Sequence, residues 1–293
     1  MAGAPIRVGG QLGERAREVL AGRQAPAQPR DAATVMLLRP GGGAGGGASG
    51  GAGGGPGGGL EVYMLRRKPS MAFAPGAFVF PGGSVDARDA DEQVAWAGPD
   101  TAAWGQIFDA PPRLARALVC AAVRETFEES GVLLAGPSAG EVVADTTGEQ
   151  WEADRQALLD RSLSLAEMLS RRGLVLRSDL LRPWSRWITP VIEERRFDAR
   201  FFAAALPEQQ RTRDVGGEAA EVAWVSPADA IAMGRRKEIL LWPPTAVSLA
   251  ELAACGDMAA ALRPRKVSPV LPEASLAEGA AWLTIPADLE YPL

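Results

Sequence analysis

An amphipathic pattern in the middle of the chain predicts a helix. Val119, Val123 and Phe127 recur every four residues and should form the stripe that faces the core. The apolar run begins near Leu114, and Gly131 suits the left-handed turn that ends a helix. We therefore expect a helix over residues 114–131.

Apolar runs elsewhere predict further elements. Strands are expected at residues 34–39, 60–66, 77–80, 196–206 and 221–225. Helices are expected at residues 11–20, 149–161, 165–172 and 246–255. Trp151, Leu158 and Leu159 share one face of the 149–161 helix, which indicates either a core contact or the contact of a homodimer.

Composition divides the chain into one predicted domain with two looser ends. Residues 1–30 are expected to be a flexible lead-in, residues 31–255 the folded domain, and residues 256–293 a Pro-rich C-terminal extension. The tract 41–59 is almost entirely Gly and Ala, which cannot build a core, so we expect a disordered hairpin loop. It lacks the Lys-Ser/Thr ending and the following helix of a phosphate-binding loop.

Charge and cysteine content exclude several classes of function. The net charge of −5 and pI near 5.1 argue against a nonspecific nucleic-acid binder. Apolar runs are too short for a membrane span. Only Cys120 and Cys255 are present, which suits a reducing cytoplasm, and we expect a cytoplasmic protein. The absence of histidine excludes Ser-His-Asp and Cys-His catalytic sets.

Three glutamates stand where the helix pattern predicts basic residues. Glu125, Glu128 and Glu129 share one face near the end of the 114–131 helix. The helix dipole disfavours anions there by roughly 0.3–1 kcal/mol each, and like charges at this spacing repel. A cation would reverse both effects, and carboxylates together with substrate phosphates are how proteins hold Mg²⁺. The cluster therefore predicts a functional cation site.

The segments 82–86 and 124–132, with Asp89 between them, resemble the Nudix box. Asp89 stands where a Glu is usual, and Thr126 where an aliphatic residue is usual. A long gap of 34 residues separates Asp89 from Arg124, and it resembles the split box of the coenzyme A diphosphatase-like branch of Nudix hydrolases. Stretches at 78–83, 187–190, 195–202 and 242–245 are also similar to that branch.

The resemblance implies an α/β Nudix fold, an α/β/α sandwich around a mixed β-sheet with helical insertions. Residues 90–112 would be an insertion within the box. In this interpretation Glu125, Glu128 and Glu129 bind Mg²⁺ or Mn²⁺ and take part in catalysis, and Arg124 orients Glu125. The backbone carbonyl of Gly82 would be a further metal ligand.

A fourth carboxylate is implied from a distal loop, where Glu218 or Glu221 lies, although either could instead be a solvated charge. Residues expected to contact substrate are Arg66, Arg67, Gly83, Arg195 and Arg196, because Arg makes forked bonds to phosphate and glycine admits close approach. For Arg195 and Arg196 the alternative is ion pairing at the end of a strand.

The resemblance predicts an enzyme that hydrolyses a small-molecule diphosphate, an acid anhydride of phosphorus. Coenzyme A or acyl-CoA is the substrate that it favours, giving 3′,5′-ADP and (acyl-)4′-phosphopantetheine. NADH, ADP-ribose or a nucleotide sugar is an alternative substrate. A second class of function is a non-catalytic nucleotide-binding regulator, and a third is an isomerase that would need a reactive cysteine.

Overall fold

The structure is a computed structural model that describes residues 5–42, 59–68, 75–213, 219–286, 289 and 291–293. Most of the glycine-rich tract 41–59 lies outside the described residues, as does Glu218. Within the described residues, no helix is both long and apolar enough to cross a membrane.

The described residues form strands and helices distributed along the whole chain. The strands are β1 (Ile6–Val8), β2 (Arg30–Pro40), β3 (Leu60–Arg67), β4 (Phe78–Val79), β5 (Gly82–Ser84), β6 (Trp96–Ala97), β7 (Ala135–Gly136), β8 (Val175–Arg177), β9 (Leu181–Ile188), β10 (Phe197–Ala205), β11 (Ala219–Val225), β12 (Pro269–Val270), β13 (Glu273–Ala277) and β14 (Ala280–Thr284). The helices are α1 (Gly10–Leu20), α2 (Thr101–Phe108), α3 (Pro112–Ser130), α4 (Glu149–Leu159), α5 (Leu165–Arg171), α6 (Pro227–Arg235), α7 (Pro243–Cys255) and α8 (Met258–Ala261).

A mixed sheet lies at the centre, in the order β11-β3-β2-β10-β9-β12. Strands β2 and β10 run parallel, as do β9 and β12, whereas the other neighbours are antiparallel. Short strand β4 pairs with β3, and β5 pairs with β2. The pairing Thr34↔Gly82 and Ala33↔Gly83 fixes the position of β5 on the sheet.

Both faces of this sheet are buried. Ala33, Val35 and Leu37 of β2 belong to the core on the α3 side, whereas Met36 and Leu38 belong to the core on the α7 side. This alternation follows from the two-residue period of a strand. The fold is therefore an α/β/α sandwich, which confirms the predicted fold class.

The segment between Asp89 and Arg124 is anchored by its aromatic side chains. Trp104 and Phe108 of α2 are each 1% exposed and contact Phe202 of β10, with ring centroids 5.6 and 5.1 Å away. The insertion is thus packed against the central sheet on the side of α3. These two aromatic side chains belong to the core.

The two ends of the chain pair with each other. Strand β14 forms a three-stranded sheet with β1 and β13, and α1 packs beside it. Ala16, Ile192 and Ala281 form the buried centre of this terminal unit. The pattern predicts α1 but not β1, β13 or β14, since most residues of β13 are exposed and alternate weakly. The unit ties the predicted lead-in 1–30 and extension 256–293 to the β9–β10 turn.

Candidate active site

Helix α3 ends where its sequence predicts, and a side chain of α4 bonds to a carbonyl of its last turn. Gly131 has a φ of 75°, the left-handed conformation that suits glycine, and its N–H donates to Phe127 O. Arg155 of α4, 1% exposed, donates from Nη1 to Glu128 O at 2.9 Å. The carbonyls at a helix end need such donors, and a cation there complements the dipole.

Arg124 connects three of the four carboxylates, Asp89, Glu125, Glu128 and Glu129, that we call the acidic face. Its Nε and Nη2 donate to the two carboxylate oxygens of Asp89, each at 2.9 Å. Its Nη1 donates to Glu125 Oε1 at 2.7 Å and more weakly to Glu128 Oε1 at 3.3 Å. Two glutamates of α3 therefore converge on one cationic nitrogen, and Asp89 fixes that nitrogen from the other side.

Strand β5 lies directly against the glutamates. The N–H of Gly82 donates to Glu129 Oε2 at 2.8 Å. A Cβ atom added at Gly83 would lie 2.4 Å from Glu125 Oε1, so only glycine admits the carboxylate this closely. The backbone of the Gly82-Gly83 turn and the carboxylates of α3 therefore form one surface.

Burial changes the protonation of this surface. Burial raises the pKa of Glu125 to about 7, against the opposing charge of Arg124. The pKa of Glu128 is raised for the same reason. Burial disfavours the charge of Arg124, but Asp89, Glu125 and Glu128 outweigh it and raise the pKa of the guanidinium. Arg124 therefore stays charged, and Glu125 can exchange a proton near neutral pH.

The acidic face opens into a cleft of about 1210 Å³. Its charged end contains the β5 turn and the side chains of α3. Its other end is lined by the β9–β10 turn, the start of α7 and the terminal unit. The residues that line the cleft include Ile6, Arg67, Gly82, Gly83, Arg124, Glu125, Glu128, Glu129, Arg155, Trp187, Glu193, Ala199, Phe201, Pro272, Leu283 and Ile285.

A family model described as the NUDT19 Nudix domain matches residues 100–252, more than half of the chain. The chain belongs to this family. The predicted Nudix resemblance is confirmed. The matched range contains all of α3, whereas the Gly82-Gly83 turn and Asp89 precede it.

Individual relatives agree with the family. Acyl-coenzyme A diphosphatase NUDT19 of Xenopus laevis is 27% identical over 229 residues, which cover 66% of this chain and 59% of the relative. The Homo sapiens protein of the same name is 28% identical over 233 residues, covering 66% and 60%. The chain thus spans about three fifths of these relatives.

A solved structure extends the comparison to the fold. The crystal structure of a NUDIX hydrolase from Alicyclobacillus acidocaldarius matches with a TM-score of 0.64 and 26% identity, covering 83% of this chain and 99% of that one. Because this match covers most of the chain, it includes elements outside the family model.

The Nudix acidic face fits a divalent cation in chemistry. Carboxylate oxygens are the ligands that Mg²⁺ prefers, and Glu125 and Glu128 already share a cationic partner, Nη1 of Arg124. Among the described residues, no group of three or more His, Cys, Asp or Glu side chains is placed to hold a metal ion as it stands. The carboxylates therefore have the chemistry to hold a divalent cation. Arg124 Nη1 lies at the point where the side chains of Glu125 and Glu128 converge.

The residues predicted to contact substrate separate into two groups. Arg67 and Gly83 line the cleft. The other predicted arginines are not among its lining residues. Arg66 lies 3.9 Å from Glu221 in an exposed ion pair on β3 and β11. The structure therefore does not bring Arg66 or Glu221 to the acidic face.

Arg195 and Arg196 precede β10, outside the cleft lining. Arg195 is exposed. Arg196 is 9% exposed and donates to Thr189 O at 2.9 Å and to Ala27 O at 2.7 Å. The partners of this side chain are backbone carbonyls, which a sequence does not identify. A phosphate could bind Arg196 only by displacing them.

Two residues of the acidic face are missing from the predicted set. In the sequence Asp89 is only a departure from the Nudix box, yet its side chain is 3% exposed and accepts two hydrogen bonds from Arg124. Arg155 has no motif, and a charged residue in an amphipathic helix normally indicates solvent. The i,i+3 spacing of Glu152 and Arg155 indicates an ion pair within α4, but the sequence does not show the hydrogen bond from Arg155 to Glu128 O.

Proposed function

We propose that this chain is a metal-dependent diphosphatase of coenzyme A or its acyl esters. Water would form a bond to one phosphorus of the diphosphate, and the bond from that phosphorus to the bridging oxygen would break. The products would be 3′,5′-ADP and (acyl-)4′-phosphopantetheine. The family, and the names of relatives that act on acyl-coenzyme A, support this choice.

The observation that carries the proposal is the convergence of Glu125 and Glu128 on Arg124 beside the Gly82-Gly83 turn, inside the cleft. Bound Mg²⁺ or Mn²⁺ would offset the charge of the diphosphate and acidify the attacking water. Glu125, Glu128 and Glu129 would hold that ion.

The chain itself would contribute proton transfer and orientation. Without bound metal, burial raises the pKa of Glu125 to about 7, so its carboxyl can take up a proton near neutral pH, whereas a bound cation would favour its ionised form. Arg124 would keep Glu125 and Glu128 aligned, and the Gly82 N–H would fix Glu129. The isomerase alternative finds no support, because burial raises the pKa of Cys120 to about 12.

Incubation with a panel of diphosphates would test this proposal. We expect Mg²⁺- or Mn²⁺-dependent release of 3′,5′-ADP from coenzyme A, abolished by a chelator. Glu128→Gln should lower kcat by about 100-fold or more, since loss of a group acting in the transition state costs about 10²–10⁴. Glu208→Gln, an exposed carboxylate, is the matched control and should be neutral.

Two outcomes would contradict parts of the proposal. Turnover of NADH, ADP-ribose or a nucleotide sugar without turnover of coenzyme A would overturn the substrate. No turnover of any compound, with wild type equal to Glu128→Gln, would leave the regulator hypothesis in its place.

A further inference from the structure

The cleft continues past the acidic face into an end lined by apolar side chains. Its volume of about 1210 Å³ exceeds the roughly 300–1,000 Å³ usual for a small-molecule site. Ile6, Leu283 and Ile285 of the terminal unit line this end. We call these three residues, with Pro272, the terminal wall.

The terminal wall is fixed in place from two sides. Ile6 of β1 and Leu283 of β14 are register partners, so their side chains lie on the same face of the terminal sheet. Ile6 packs against the core on the α7 side, and Leu283 against the buried centre of the terminal unit. Ile285 is 2% exposed. Ile6 and Leu283 are thus partly buried residues that rest on the core, with part of their surface left for a ligand.

The central sheet supplies an apolar floor opposite the terminal wall. Trp187 of β9 and Ala199 of β10 are register partners, and Phe201 follows on the same face of β10. Trp187 and Phe201 are 4% and 6% exposed. Burial raises the pKa of Glu193, which also lines the cleft, so water solvates a charge poorly there.

The floor lies at a distance from the acidic face that selects the shape of a ligand. Gly83 pairs with Ala33, and the path to Trp187 crosses from β5 to β2, β10 and β9. Three steps of about 4.8 Å give about 14 Å. A group attached directly to the diphosphate, such as a ribose, would not reach the floor. A long flexible arm ending in an apolar group would.

We propose that the terminal wall and the floor bind the aliphatic chain of an acyl-CoA thioester, while its diphosphate lies at the acidic face. This inference rests on the proposed function and adds the site that selects the acyl group. The side chains of the terminal wall and of the floor are all uncharged, so a neutral aliphatic chain is the occupant that fits them.

The first expected result is a dependence on chain length. Each methylene group that the wall covers should strengthen binding about three- to fourfold, the usual effect of burying one CH₂. The ratio of kcat/KM for acyl-CoA to that for coenzyme A should therefore rise from butanoyl to decanoyl. Binding of the same series to Glu128→Gln protein, measured by calorimetry, should rise in parallel.

Substitutions in the terminal wall should flatten this dependence. Leu283→Ala and Ile6→Ala each remove part of the terminal wall. Each should lower the preference for decanoyl-CoA over coenzyme A about fivefold or more, both in kcat/KM and in the binding constant from calorimetry. Leu276→Ala is the matched control, because Leu276 lies on the same terminal sheet, is 45% exposed and is absent from the cleft lining. It should leave the ratio unchanged.

The design separates failure of this site from failure of the proposed function. Hydrolysis of coenzyme A with no chain-length dependence, or an unchanged ratio in Leu283→Ala and Ile6→Ala, would overturn the acyl site alone. No hydrolysis would overturn the proposed function, and calorimetry would still decide the acyl site. If Leu283→Ala does not fold, Ile6→Ala and Leu283→Met decide, the latter keeping the selectivity because it keeps the apolar volume.

Discussion

The two ends of the cleft are built by opposite means. At the acidic face, Asp89, Arg124 and Glu125 hold each other through hydrogen bonds of 2.7–2.9 Å between charged groups. At the terminal wall, the side chains of Ile6 and Leu283 make only apolar packing contacts with the clusters beside them. A small displacement breaks a directed bond but hardly alters a non-directional contact. Substitutions should therefore affect turnover at the first end and selectivity at the second.

The largest expected difference between the ends is in the dependence of stability on pH. The pKa of Glu125 is raised by burial from 4.5 to about 7, so the folded protein keeps a proton that the unfolded chain has lost. The stabilisation of the folded state by this proton is complete below pH 4.5 and is lost as the pH rises through 7. The loss should be about 3 kcal/mol.

Urea unfolding of the metal-free protein at pH 5.5 and pH 8 would measure the part of this loss that falls between those pH values, about 2 kcal/mol. Glu125→Gln should reduce the difference between the two pH values, because the amide does not titrate, and the raised pKa values of Glu128 and Glu193 should account for the remainder. Leu283→Ala, in the terminal wall, removes no titratable group and should lower stability equally at both pH values. A wild-type protein equally stable at both pH values would show that the acidic face carries no such strain.

The second prediction concerns the orientation of the Arg124 side chain. Asp89→Asn keeps the shape of the side chain but removes the charge that holds Arg124, so kcat should fall about 10- to 100-fold, as is usual when a supporting hydrogen-bond partner is lost. Glu92→Gln, an exposed carboxylate close by in the chain, should have no effect. Steady-state kinetics on coenzyme A would decide, and an unchanged kcat in Asp89→Asn would mean that Arg124 does not need this partner.

The same contrast explains how far the sequence could predict the cleft. The carboxylates of α3 were predictable because their spacing and the Gly131 stop lie within one helix, where position along the chain fixes position in space. The resemblance to the Nudix box added the Gly82-Gly83 turn. Neither source predicted the contact of Arg155 with α3, because its partner there is the backbone carbonyl of Glu128, and every residue has a carbonyl.

The terminal wall lay beyond sequence reasoning for a different reason. Ile6 and Leu283 pair across nearly the whole length of the chain, and no local signal specifies a pairing of that range. Only Ala281 among the residues of β13 and β14 is fully buried, so the alternation that marks a strand is weak. The same lack of a local signal explains why Arg196, held by distant carbonyls, was predicted to contact phosphate.

The smallest effect separates two adjacent glycines at the acidic face. A Cβ atom at Gly83 would meet the flexible end of Glu125, 2.4 Å away, which can move. A Cβ atom at Gly82 would meet the backbone of β2, 2.5 Å from Ala33 O and 2.8 Å from Thr34 Cα, and this backbone cannot move aside.

Gly83→Ala should therefore lower kcat about five- to tenfold with its melting temperature nearly unchanged, because only the alignment of the Glu125 carboxylate is lost. Gly82→Ala should instead cost about 1–2 kcal/mol of stability, as overpacking does. Kinetics and thermal unfolding of both variants would show whether charge alignment and backbone packing are separable at this end, and equal losses of stability would mean that they are not.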